Sequence, residues 1–169
     1  MSEFINLQNA NLVRPRLWLG NYAAARDERF LQANNISVVF NCTKDLEFSP
    51  IDEVKRRYRI PVDDNLRDVE IANMEKWAPE SIMLLLDEYK AGNTILVHCA
   101  AGMQRSAAAV AMLLIVLEGL TPDQAIAAVQ AKRAIAFRPS ANFRRSIEGF
   151  WQYYRRRVIP YLEEEKKNN

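Results

Sequence analysis

The junction at residues 94–118 constrains the fold of this sequence more than any other feature. Thr94–Val97 is a β-branched, apolar run that predicts a buried strand. Residues 106–118 are strongly apolar and predict a buried helix, since the apolar run Ala107–Leu117 is too short to span a bilayer. A buried strand joined by a tight loop to a buried helix indicates an α/β domain.

Further strands and helices alternate along the chain. Apolar runs and helical spacing predict strands at residues 16–20, 36–40 and 58–62, and helices at 22–33, 73–90, 121–133 and from near Ser140 onward. No linker, repeat or low-complexity segment interrupts this order. We therefore predict one domain over residues 1–160, followed by a charged, frayed tail at 161–169.

Composition excludes several classes of function. The net charge is only +2, so the chain is not a bulk polycation for nucleic acid, and its arginine clusters are typical of solvated helix faces. The single histidine excludes a His-rich metal site. We therefore expect chemistry that uses no metal and no cofactor.

The two cysteines, Cys42 and Cys99, are more typical of a protein in a reducing compartment than of a secreted one. They form no C-x-x-C pair and are too few for the disulfide framework of a secreted protein. Residues 1–12 lack the apolar stretch of a signal peptide. We expect a reducing, intracellular location, cytoplasmic or nuclear, in which a reactive thiol survives.

The loop at residues 98–105 has the composition of an anion site. A loop between a strand and a helix N-terminus points successive backbone N–H groups inward, and the helix dipole adds positive potential. The residues predicted to bind phosphate in this way are Ala100, Ala101, Gly102, Met103 and Gln104. Gly102 permits a backbone conformation that a side chain would obstruct, and the planar guanidinium of Arg105 can close over two phosphate oxygens.

The same surroundings favour the thiolate form of Cys99, a nucleophile suited to in-line attack on phosphorus. Ser106 can donate a hydrogen bond to the sulfur and help it leave in the second step. We predict that His98 bonds to the loop backbone and orients the cysteine instead of acting as a base. The alternative is that Cys99 is an ordinary buried cysteine at a strand end.

A departing alkoxide or phenoxide needs a proton, so a carboxylic acid should lie over the site. The acidic loop at residues 63–70 offers Asp64 as our first choice, with Asp63 and Asp68 as alternatives. These acids could instead only cap the helix predicted to begin near residue 73.

The run His98-Cys99-x-x-Gly102-x-x-Arg105-Ser106 is the signature of the protein tyrosine phosphatase superfamily, and the chain resembles its small dual-specificity branch. The resemblance covers residues 14–155, and its further matches are Leu17–Asn21, Val39–Thr43, Ile60–Asn65 and Pro139–Phe143. It implies a central, largely parallel sheet of four or five strands flanked by helices. It also implies that Asn41 braces the phosphate loop, and it favours Asp64 as the general acid. Gln104 departs from the Ser or Asn more usual there.

The resemblance implies a protein phosphatase that acts on phosphotyrosine and phosphoserine/threonine, with phosphorylated proteins as partners and no membrane. The run Ala101–Ser106 and the compact size also resemble phosphatases of large DNA viruses. The arginine clusters near residues 132–157 leave open an RNA 5′-triphosphatase or another non-protein phosphatase. A phosphoprotein-binding module with little activity is a further alternative. The sequence leaves the oligomeric state open.

Overall fold

The computed structural model describes residues 8–169 as a mixed sheet with helices on both faces. Its strands are β1 (Ala10–Arg14), β2 (Leu17–Gly20), β3 (Val38–Asn41), β4 (Arg56–Arg59) and β5 (Ile95–His98), in the spatial order β1-β2-β5-β3-β4. Only the β1–β2 pair is antiparallel. The predicted α/β fold with a largely parallel sheet of four or five strands is therefore confirmed.

The helices are α1 (Tyr22–Arg26), α2 (Glu28–Ala33), α3 (Asp68–Lys90), α4 (Arg105–Glu118), α5 (Pro122–Lys132), α6 (Arg144–Tyr153) and α7 (Ile159–Asn168). A π-helical turn, Tyr154–Val158, joins the last two. The predicted helix at 22–33 is in fact two helices, because Asp27 ends the first and caps the second with its carboxylate. Residues 161–168, predicted as part of a frayed tail, are helical and exposed.

The sheet is covered on both faces, and its central strands β3 and β5 are buried at every position. Val38 and Phe40 belong to the large core with α3–α6, whereas Val39 and Leu96 belong to a smaller core with Leu31 on the other face. Helix α4 is buried from residue 106 to residue 115, and its alanines let it lie close to the sheet. No single helix in the described chain is long and apolar enough to span a membrane; α4 and α5 pass such a test only together, across a 117° bend.

Parallel pairing brings the carboxyl ends of three strands to one edge of the sheet. β5 lies between β2 and β3, and His98 is in register with Gly20 on one side and Asn41 on the other. The residues that follow β5 therefore enter a crevice at the centre of the sheet. Open α/β sheets place their ligand sites at this edge.

Candidate active site

In the loop between β5 and α4, the backbone N–H groups have no protein partner among the residues that the structure describes, whereas the carbonyl groups accept hydrogen bonds from other parts of the protein. In the described chain, no backbone N–H of residues 100–104 donates a hydrogen bond to protein. The carbonyl oxygens are held from outside: Ala100 by Tyr22 N at 3.0 Å, Gly102 by Arg133 Nε at 2.8 Å, and Met103 by Phe137 N at 2.8 Å. Fixing the carbonyls outward leaves the opposed N–H groups available to one anion.

Gly102 is necessary for this loop to close. Its φ is +67°, and a Cβ there would lie 2.6 Å from the backbone of Gly20. An L-residue would therefore meet both left-handed strain and a clash with β2.

Cys99 lies at the base of the loop, with 2% of its surface exposed. Its Sγ is 3.1 Å from Ser106 Oγ in the first turn of α4. No side chain caps the N-terminus of this helix, so the first amides of α4 remain open to an anion. Cys42, the second cysteine, is buried, and desolvation raises the pKa of its thiol.

Arg105 connects the loop to Val62, the residue just before the predicted acidic segment. Its Nη1 donates to Val62 O at 3.0 Å, while its buried Nε finds no acceptor among the described residues. A buried N–H without a partner is costly, and an oxyanion in the loop would supply the missing acceptor.

His98 makes the backbone contact that the sequence predicts. Its Nδ1 lies 3.2 Å from Cys99 O, and because a carbonyl only accepts, this nitrogen carries the proton. Burial lowers the pKa of the imidazole from 6.5 to about 4, so the ring is neutral near pH 7. That His98 orients the cysteine stays a prediction, with which this contact is compatible.

Asn41 does not make the contact that the resemblance implied. Its Nδ2 donates to Leu46 O at 2.7 Å, and its Oδ1 accepts from the hydroxyl of Thr43 at 2.6 Å. The side chain therefore braces the segment after β3, and the residue supports the phosphate loop only through its place beside His98 in the sheet.

The three candidate acids face different partners. Asp63 faces Lys44 at 3.2 Å, and Asp68 lies in the first turn of α3 and faces Arg145 at 2.8 Å. Asp64 accepts from Asn142 Nδ2 at 2.9 Å. Asn142 N in turn donates to Gln104 Oε1 at 2.9 Å, so the carboxyl of Asp64 lies two hydrogen bonds from the phosphate loop.

Sequence reasoning missed Arg133. Only 1% of it is exposed, and its guanidinium donates to Gly102 O, Ala101 O, Gln8 O and Asn11 Oδ1 at 2.8–3.3 Å. Desolvation lowers the pKa of this guanidinium. In the sequence it stands next to Lys132, and this pair of cations is typical of an exposed helix face. No feature of the neighbouring sequence shows that Arg133 is buried.

The described residues contain no cluster of three or more His, Cys, Asp or Glu side chains placed to hold a metal ion. The predicted nucleophile Cys99, the free loop amides and the predicted acid Asp64 are all groups of the protein itself. The arrangement can carry out a two-step transfer of a phosphoryl group through sulfur.

Comparison with known proteins places this geometry in a family. Residues 17–152 match the model of "Dual specificity phosphatase, catalytic domain". The chain is 30% identical over 139 residues to dual specificity protein phosphatase 1 of Arabidopsis thaliana, covering 82% of this chain and 67% of that one. Human dual specificity protein phosphatase 22 is 26% identical over 155 residues, 92% and 80% of the two chains.

A solved structure agrees with these relatives. The crystal structure of DUSP15 superposes with a TM-score of 0.75 at 28% identity, covering 93% of this chain and 97% of that one. The sequence resemblance to the dual-specificity branch is thus confirmed. This chain belongs to the dual-specificity phosphatase family of cysteine-dependent phosphatases.

Proposed function

We propose that this protein hydrolyses phosphotyrosine and phosphoserine/threonine in proteins through a phosphocysteine at Cys99. The observation that carries the proposal is the loop of residues 100–104, whose carbonyls are held outward and whose N–H groups are free beside the cysteine. The names of the relatives support a protein substrate. The chemistry suits a reducing, intracellular compartment.

In the first step the thiolate of Cys99 attacks phosphorus opposite the leaving oxygen. The P–S bond forms as the P–O bond breaks, and the departing oxygen takes a proton from Asp64. The loop amides and Arg105 hold the three remaining phosphate oxygens, and stabilise the charge that builds up on them.

In the second step water attacks the phosphocysteine. The carboxylate of Asp64 takes a proton from that water as the P–O bond forms and the P–S bond breaks. The sulfur leaves as a thiolate, to which the Ser106 hydroxyl, 3.1 Å away, donates a hydrogen bond. Inorganic phosphate departs and the starting enzyme is restored.

Three of the arginines that kept an RNA substrate open are engaged with protein. Arg133 is buried under the loop, and Arg144 and Arg145 pair with Asp123 and Asp68. Arg155, Arg156 and Arg157, in the π-helical turn after α6, stay exposed. We keep 5′-triphosphorylated RNA as the second candidate substrate and include it in the assay.

The test is phosphate release in EDTA from matched phosphotyrosine and phosphothreonine peptides, with Cys99→Ser as the blank. We expect release from both peptides, lost in the variant. No release from either by folded, reduced protein would overturn the proposal. Faster γ-phosphate release from 5′-triphosphorylated RNA than from any peptide would replace it with the RNA function.

A further inference from the structure

Gln104 anchors a second loop above the phosphate site. Only 5% of this residue is exposed, and its Nε2 donates to Arg138 O at 3.1 Å and Ser140 O at 2.8 Å. Its Oε1 accepts from Asn142 N at 2.9 Å. Because carbonyls only accept and the amide N–H only donates, these three bonds fix the orientation of the Gln104 amide.

Asn142 extends this anchor to the general-acid loop. Its side chain is half-buried, and its Nδ2 donates to Asp64 Oδ1 at 2.9 Å. Residues 64–69 are exposed, and Leu66 within them adopts a φ of +64°. The carboxyl of Asp64 therefore lies in a segment that packing alone holds weakly, and the bond from Asn142 fixes it to the phosphate loop.

We infer that Asn142, seated by Gln104, is a positioning residue that aims the general acid Asp64 at the leaving oxygen. The inference rests on the proposed function and deepens it. An amide N–H only donates, and the carbonyl oxygen of a protonated carboxyl is its better acceptor, so the contact favours a transferable proton on Oδ2 of Asp64. The contact thus selects which oxygen delivers the proton, as well as where it lies.

The neighbouring contact between the same two segments provides a matched control. Arg145, three residues beyond Asn142, bonds Asp68 at 2.8 Å, but both side chains are largely exposed and the pair does not reach Gln104. An exposed ion pair contributes little to holding a loop. Arg145→Ala therefore removes a tether of the acidic segment and leaves the relay from Gln104 to Asp64 intact.

The experiment compares two aryl phosphates. Phenyl phosphate has a leaving group that needs a proton, whereas 2,4-dinitrophenyl phosphate has one that leaves without it. We expect Asn142→Ala to lower kcat for phenyl phosphate about three- to tenfold, the effect of one ordinary hydrogen bond on a rate. For dinitrophenyl phosphate the change stays below about twofold, and Arg145→Ala alters neither rate by more than that.

Non-additivity gives the second readout. In an Asp64→Asn background, Asn142→Ala should cause no further loss with phenyl phosphate, because its effect acts through the acid. Asn142→Ser, too short to reach Asp64, should behave as Asn142→Ala does. Melting temperatures near that of the wild type confirm that these variants fold.

Three results would overturn the inference: wild-type rates for Asn142→Ala, equal losses on both substrates, or full multiplication of the losses in the double variant. Each leaves the proposed function standing if wild-type protein turns over and Cys99→Ser does not. Failure of the wild type on every phosphoester would instead refute the function itself.

Discussion

Arg133 holds the outer side of the phosphate loop, and its removal should disable the loop without touching the anion. Its guanidinium donates to the carbonyls of Gly102 and Ala101 on the loop, and to Gln8 O and Asn11 Oδ1 on the segment before β2. Arg133→Met keeps most of the length and apolar stem of the side chain. It deletes all four hydrogen bonds and leaves the carbonyl of the buried Gly102 without this donor.

The magnitude follows from these contacts. Four charge-assisted hydrogen bonds at about 1.5 kcal/mol each total about 6 kcal/mol. Burying the guanidinium costs desolvation energy, which is why the pKa of Arg133 is lowered. Removing the charge recovers that cost, which offsets about half of the loss. A net loss of about 3 kcal/mol in the free energy of unfolding corresponds to about 6–12 °C in melting temperature for a domain of this size.

The assay pairs thermal unfolding with kcat/KM on an aryl phosphate, measured well below the melting temperature. Once the carbonyls are released, the loop amides no longer converge, and we expect kcat/KM to fall at least about tenfold, the equivalent of one lost hydrogen bond in the transition state. Lys132→Met, at the exposed neighbour, is the control and should change neither quantity. A melting temperature and kcat/KM within error of the wild type for Arg133→Met would refute the bracing role.

Three further predictions concern the acid, the hydroxyl and the histidine. Asp64→Asn should slow turnover of phenolic esters by roughly 10²–10⁴, whereas Asp63→Asn should cost less than tenfold; the reverse order in steady-state assays would move the acid role to Asp63. Ser106→Ala should slow the second step more than the first, so rapid-quench kinetics should show a burst of phenol before the steady state. Phenol release without a burst would contradict this prediction. His98 has a pKa of about 4 when folded and 6.5 as its ordinary value, so the unfolded chain takes up the proton first. His98 should therefore contribute a fall of about 2–3 kcal/mol in the free energy of unfolding as pH drops from about 6.5 to about 4. Urea titrations of His98→Gln should lack this contribution, and an equally large fall in the variant would contradict it.

The phosphate loop was predictable from the sequence because its determinants are local. A β-branched run, a glycine five residues after its end and an apolar helix specify the strand, the turn and the dipole together. The alternation of strands and helices likewise indicated an α/β domain, whereas the largely parallel sheet was implied by the family resemblance. The roles of Cys99, Arg105 and Ser106 remain predictions, and the geometry is compatible with each of them.

The predicted starts of two helices were wrong, and one strand was missed. Helix α3 begins at Asp68 instead of residue 73, because acidic side chains that suggested a loop are favourable in the first turn of a helix. Helix α6 begins at Arg144 instead of Ser140, because Gln104 holds residues 138–142 as a loop. Strand β1 was missed, since its residues alternate too weakly to stand out before β2.

Side chains whose partners are distant in sequence lay beyond prediction. Arg133 reaches the loop only because the end of α5 packs beside it, and Asn142 meets Asp64 across 78 residues. Asn41 shows the opposite case. The resemblance implied that its side chain contacts the phosphate loop, whereas in the structure it bonds to Thr43 and Leu46, which follow it closely in the sequence. Such pairings depend on how the elements pack, which composition and spacing do not encode.

The most direct test of the account is to trap the intermediate. Wild-type protein and Cys99→Ser are mixed with excess aryl phosphate, quenched in acid within one turnover, digested and examined by mass spectrometry. The account predicts one added phosphoryl group on the peptide that contains Cys99, and none in the variant. Turnover by the wild type with phosphate on another residue, or turnover by Cys99→Ser, would contradict it.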